Sequence, residues 1–97
     1  PRVDMAFKRI FGVDENKDLL ISLINSIVLA EDQLEDVEIL NPYNSQNFGN
    51  DKLSILDIKA RGKNKNLYNI EMQILDEKDY DKRALYYWSK LYVDQLV

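Results

Sequence analysis

The stretch around Gly62-Lys63-Asn64-Lys65-Asn66 constrains this chain more than any other, because a run of alternating apolar and polar residues leads into it and another leads out. Period-2 alternation on both sides of a Gly- and Asn-rich turn predicts two antiparallel strands joined as a hairpin. On the first strand Ser54, Leu56, Ile58 and Ala60 share one face, leaving Leu53, Ile55, Asp57, Lys59 and Arg61 on the other. On the second, Tyr68, Ile70, Met72 and Ile74 form the apolar face, opposed by Asn69, Glu71 and Gln73. If the hairpin is centred near Asn64, Asp57 falls directly opposite Glu71. Directly opposed residues have Cβ atoms roughly 4.5 to 5.5 Å apart, and like charges there are destabilising unless something positive lies between them. A divalent cation meets that need: Mg²⁺ takes oxygen ligands, commonly one or two carboxylates with substrate phosphates. The alternative is an exposed acidic pair on an ordinary solvated sheet face.

Helical periodicity comes before the hairpin. Asp4 to Phe11 opens on a good N-cap residue and spaces Phe7, Ile10 and Phe11 at i, i+3, i+4 ahead of Gly12, which predicts a short helix. Asn16 can cap a second helix ending near Ala30 or Glu31. Its apolar stripe is Leu20, Leu23, Ile24 and Ile27, with Leu19 and Val28 wide enough of it to predict burial on more than one side. Val37 and Ile39 alternate with Asp36 and Glu38, a short strand that stops at Asn41-Pro42 because proline has no amide to donate. Tyr43 to Asp51 reads as a loop. From Asp79 on, Ala84, Trp88, Leu91 and Gln95 predict a last helix, with Trp88 and Tyr92 as core residues and Arg83 one turn from Tyr87 on an adjoining face.

This order predicts an α/β fold with helices packed on an antiparallel three-strand meander. A chain of 97 residues is one domain at most. Pro1 stands where an initiator Met would, and the C-terminal pattern is still running at Val97, so the chain reads as part of a longer protein. There is no Cys, no run long enough to span a bilayer and no basic-then-apolar leader, which makes a cytoplasmic protein the default expectation. A formal net charge of −4 argues against a non-specific basic nucleic-acid binder. It leaves a nuclease open, since a metal site concentrates carboxylates.

Four motifs, Asp4-Met5-Ala6-Phe7-Lys8-Arg9-Ile10-Phe11-Gly12, Leu56-Asp57-Ile58-Lys59-Ala60, Tyr68-Asn69-Ile70-Glu71-Met72-Gln73 and Arg83-Ala84-Leu85-Tyr86-Tyr87, together resemble the PD-(D/E)xK nuclease family transposases, also called recombination-promoting nucleases. The resemblance covers nearly the whole chain. It implies a restriction-endonuclease-like core, here a single partial domain over residues 1–97 that is the N-terminal part of a longer protein and is truncated before further strands, and Mg²⁺- or Mn²⁺-dependent DNA cleavage linked to transposition or recombination. It also implies that Asp57 and Glu71 are the metal ligands, helped by a main-chain carbonyl beside Gln73. The general nuclease pattern ends in Lys, whereas this chain has Gln73, as this family typically does. A neutral amide can position water but cannot supply charge, so Lys59 on the same face is a candidate replacement, its alternative being a diagonal ion pair with Glu71.

Several further residues have two readings. Asp4 is an N-cap or an additional metal ligand. Arg83 and Tyr87 are DNA-phosphate contacts or a stacked surface pair, and Lys63 and Lys65 in the turn are DNA-backbone contacts or plain solvated lysines. The alternative function is a weakened nuclease fold kept for DNA binding or protein interaction. A homodimer is expected if both DNA strands are cut by one site per chain. The present chain, with one sheet edge expected to lie open, is predicted to self-associate and to be weak or inactive as a nuclease by itself.

Overall fold

The computed structural model describes residues 3–44, 55–76 and 84–94. Helix α1 spans Val3–Phe11 and α2 spans Lys17–Asn25, joined through a 3-10 turn at Asp14–Asn16. A second 3-10 turn, Ala30–Asp32, leads into strands β1 (Leu34–Ile39), β2 (Ile55–Gly62), β3 (Leu67–Asp76) and β4 (Ala84–Asp94). The four strands form one sheet in the order β1-β2-β3-β4, every pair antiparallel. The helices pack on the β1-β2-β3 meander, the α/β arrangement the sequence predicts.

The core lies between helices and sheet. Leu56, Ile58 and Ala60 of β2 are buried with Tyr68, Ile70 and Met72 of β3, and Val37 and Ile39 extend the same layer across β1. Phe7 from α1 and Leu20 and Ile24 from α2 close it from above. Alternation therefore divides the hairpin into one dry face and one wet face, because neighbouring strand residues point to opposite sides.

Helix α1 ends at Phe11 as expected, whereas α2 is shorter than expected. Asp4 lies inside the first turn of α1 instead of capping it. Gly12 is required by space: a Cβ there would stand 2.5 Å from the Lys8 carbonyl oxygen, which accepts the Gly12 amide at 2.8 Å. Asn16 occupies the cap position of α2, but its side-chain carboxamide donates to the Ile10 carbonyl at 2.8 Å and so ties α2 back to α1. α2 stops at Asn25, five residues short of Ala30. The Asn25 side chain accepts the Leu34 amide at 2.7 Å and donates to the Leu34 carbonyl at 3.1 Å, a two-point clamp that starts β1. Of the two residues expected to widen the α2 stripe, Leu19 stays 52% exposed, while Val28, beyond the end of α2, packs partly buried against the core.

The largest correction is at the C-terminal end, where the predicted helix is a strand. Ala84–Asp94 pairs with β3 over its length, with Tyr87 opposite Gln73, Trp88 opposite Met72 and Tyr92 opposite Tyr68. Tyr86, Tyr87, Trp88, Tyr92 and Val93 are aromatic or β-branched, types that fit a pleated surface, and β3 would otherwise present unpaired amides and carbonyls along its edge. Trp88 and Tyr92 thus hold strand register positions, not core positions on a helix. This pairing covers the β3 edge and leaves β1 and β4 as the outer strands of the sheet.

Candidate active site

The hairpin is built as its turn chemistry dictates. Lys65 adopts φ 71°, and its amide donates to the Gly62 carbonyl at 2.9 Å while the Gly62 amide donates to Asn66 at 2.9 Å. The Asn64 carboxamide oxygen accepts the Asn66 amide at 2.9 Å, an Asx turn that leaves no room for a Cβ on Gly62. From this closure the register follows: Ile58 faces Ile70, Asp57 faces Glu71, and Ile55 faces Gln73.

Asp57 and Glu71 are therefore directly opposed on the wet face of the sheet. Asp57 is half-buried and Glu71 exposed, and neither carboxylate forms an ion pair or a side-chain hydrogen bond among the described residues. Gln73 is half-buried in the next same-face position of β3. Lys59, exposed two residues from Asp57, faces Asn69. Among the described residues it forms no ion pair, so the diagonal pair with Glu71, the alternative reading of Lys59, is not made.

Sequence reasoning missed Asn41. Its side chain continues the β1-β2 ladder past the end of β1, accepting the Asp57 amide at 2.8 Å and donating to the Ile55 carbonyl at 3.1 Å. The Leu40 amide donates to the Asp57 carbonyl at 2.8 Å. Asp57 is thus held through both main-chain groups. The signal was the Asn41-Pro42 pair, where an Asn side chain can supply the donor that a proline backbone lacks, together with an acceptor.

The hairpin tip is charged differently. Arg61 Nε donates to Glu35 Oε2 at 2.6 Å, and Lys65 Nζ donates to Glu35 Oε1 and Oε2 at 3.1 and 3.0 Å. The bond from Arg61, followed by that from Lys65, holds the Glu35 carboxyl below the ordinary glutamate range, and the same bond raises Arg61. Lys65 is therefore engaged, while Lys63 is exposed with its amide on the Gln33 carbonyl at 2.8 Å. Arg83 lies outside the described residues, as does the side chain of Asp4. Among the described residues no group of three or more His, Cys, Asp and Glu gathers as a metal cluster. The donor set at Asp57 and Glu71 still suits a hard cation of the Mg²⁺ kind, which binds through one or two carboxylates and keeps several waters.

With this pair in place, the family comparison is decisive. The family described as PD-(D/E)XK nuclease family transposase matches residues 1–97. The chain belongs to that family. Neither a curated protein nor a solved structure matches it. Membership brings nuclease chemistry in general and DNA as the substrate class. Among the described residues no helix is long and apolar enough to cross a membrane.

Proposed function

We infer that this protein is a metal-dependent DNA endonuclease of the transposition or recombination type, with its centre at Asp57 and Glu71. The observation that carries the reading is the register of β2 on β3, which sets two carboxylates opposite each other with no cationic partner among the described residues. Asp57 and Glu71 would hold Mg²⁺ or Mn²⁺, and such an ion lowers the pKa of a bound water and neutralises charge on a phosphodiester. Gln73, on the same face beside Glu71, orients the attacking water through its amide. Lys59 supplies a positive charge to the phosphate oxygens as the water oxygen bonds to phosphorus and the leaving oxygen departs. Lys63, Lys65, Arg83 and Tyr87 contact flanking DNA, Asp4 is an additional ligand candidate, and cutting both strands takes a two-fold pair of chains.

The test is a plasmid nicking and cleavage assay on the full-length protein with Mg²⁺, Mn²⁺, Ca²⁺ and a chelator, repeated with Asp57→Asn. Cleavage in Mg²⁺ or Mn²⁺ that stops with chelator and with the variant is the expected result. Cleavage that survives either change overturns the assignment. DNA binding without any cleavage in either metal favours the weakened-fold alternative, toward which Gln73 in place of Lys points.

A further inference from the structure

The wet face of β2 carries a row of cations that begins beside Asp57. Lys59 and Arg61 follow Asp57 at every second position, so the three share one face, and same-face neighbours on a strand are roughly 6.6 Å apart. That repeat is comparable to the spacing of successive phosphates along one nucleic-acid strand. Lys65, at the tip, adds a charge beyond Arg61. A shallow depression of about 150 Å³ lies along this face, edged by Lys59, Arg61, Asp36, Glu38 and Leu67.

The row is not uniform. Lys59 is open, whereas Arg61 and Lys65 converge on Glu35, and Arg61 also approaches Asp36 at 3.8 Å. The β1-β2 register slips between Leu34 and Asp36, so Glu35 is the extra residue of a bulge that brings two successive carboxylates beside Arg61. The side chains of Arg61 and Lys65 are nevertheless 49% and 73% exposed. Both cations are thus reachable from solvent while they share the Glu35 carboxylate.

We propose that Lys59, Arg61 and Lys65 form a track for the DNA backbone leading away from the scissile phosphate, with Glu35 as an internal counter-ion that a phosphate displaces from Arg61 and Lys65. This rests on the nuclease reading. A phosphate offers the Arg61 fork the same paired acceptors as the Glu35 carboxylate. Exposed ion pairs are weak, so the exchange costs little. It also accounts for DNA binding by a chain of net charge −4: the cations that matter are held ready in one row.

The experiment is equilibrium binding of a fluorescent 20-base-pair DNA duplex by the full-length protein in chelator, across a salt series. Glu35→Gln is expected to bind about tenfold tighter, the scale of two exposed ion pairs released. Glu15→Gln removes the same charge from an exposed carboxylate that lines one depression with Glu35 but has no ion pair among the described residues, and should change affinity by less than about twofold, since it releases neither Arg61 nor Lys65. Arg61→Gln and Lys65→Gln should each reduce the slope of log affinity against log salt by about 0.9. Glu35→Gln binding no tighter than Glu15→Gln, or unchanged slopes in the two cation variants, overturns the proposal. The cation variants decide the matter even if Glu35→Gln folds poorly. Cleavage by the parent with unaltered slopes sinks only the track, whereas the expected binding pattern without cleavage sinks only the nuclease reading.

Discussion

The two ends of the wet face of β2 treat charge in opposite ways. At the tip, Glu35 meets Arg61 and Lys65, and every charge in the group has an opposite partner within 3.1 Å. Four residues away, Asp57 meets Glu71 and neither has a cation among the described residues. The first arrangement is what folding alone would select on a sheet. The second opposes folding, since like charges directly across a ladder are destabilising. A juxtaposition that costs stability and is fixed through both main-chain groups of Asp57 is better explained by a ligand than by the fold. On the proposed reading, the contrast separates charges that maintain the molecule from charges that serve its chemistry.

The strongest way to break this contrast is Asp57→Asn. If the opposed pair holds the cation, metal-dependent cleavage should fall by about three orders of magnitude or more. The apo protein should melt at the same temperature or higher, because the variant relieves a like-charge pair. Unchanged cleavage, or a sharp drop in apo melting temperature, would make Asp57 a structural residue. Next in size is Lys59→Met. If Lys59 supplies the charge that Gln73 lacks, the rate at saturating metal and saturating DNA should drop by about two orders of magnitude, beyond the loss of affinity expected for one phosphate contact. Equal rates would leave Gln73 acting with the metal alone.

How much of this was legible in the sequence depends on how local the deciding interactions are. The hairpin could be read because its turn is closed by its own residues and its alternation leaves one register in which Leu56, Ile58 and Ala60 are all buried. The opposition of Asp57 and Glu71 follows from that register. The end of α2 could not be read, because it is set by Asn25 reaching Leu34, nine residues away. β4 was misjudged because Ala84–Asp94 satisfies a helical and a strand period alike, and the choice is made by β3, whose edge it pairs. Asn41 was invisible as a site residue because its role depends on meeting Ile55 and Asp57 across a long connection.

Asn41 gives a smaller test of the same contrast. Asn41→Ala removes one acceptor and one donor from the β2 backbone beside Asp57, which should destabilise the protein by about 1–3 kcal/mol. Hydrogen exchange at the Asp57 amide should speed up while that at Ile70, in the centre of β3, follows only the global change. An Asp57 amide as protected as before would mean that the Leu40 contact alone fixes the strand, and that Asn41 is not a positioning residue.

The smallest expected effect is at the tip, and its sign follows from the Glu35 carboxyl. Its pKa is lowered in the folded protein, first by the bond from Arg61 and then by that from Lys65. A group with a depressed folded value adds stability that is present above its unfolded value and lost as the pH falls through the folded one. The Glu35 contribution should therefore be complete at neutral pH and disappear on acidification below the ordinary glutamate range. Arg61, raised by the same bond, adds nothing to this window because it stays charged throughout. Melting temperatures of the parent and Glu35→Gln, followed from neutral to acid pH, should differ modestly at neutral pH and converge at low pH. The difference should also shrink in high salt, since exposed pairs are screened. A gap between the two that is constant across pH would show that Glu35 acts through packing at the bulge and not through its charge. The tip would then lose the counter-ion that distinguishes it from the carboxylate pair.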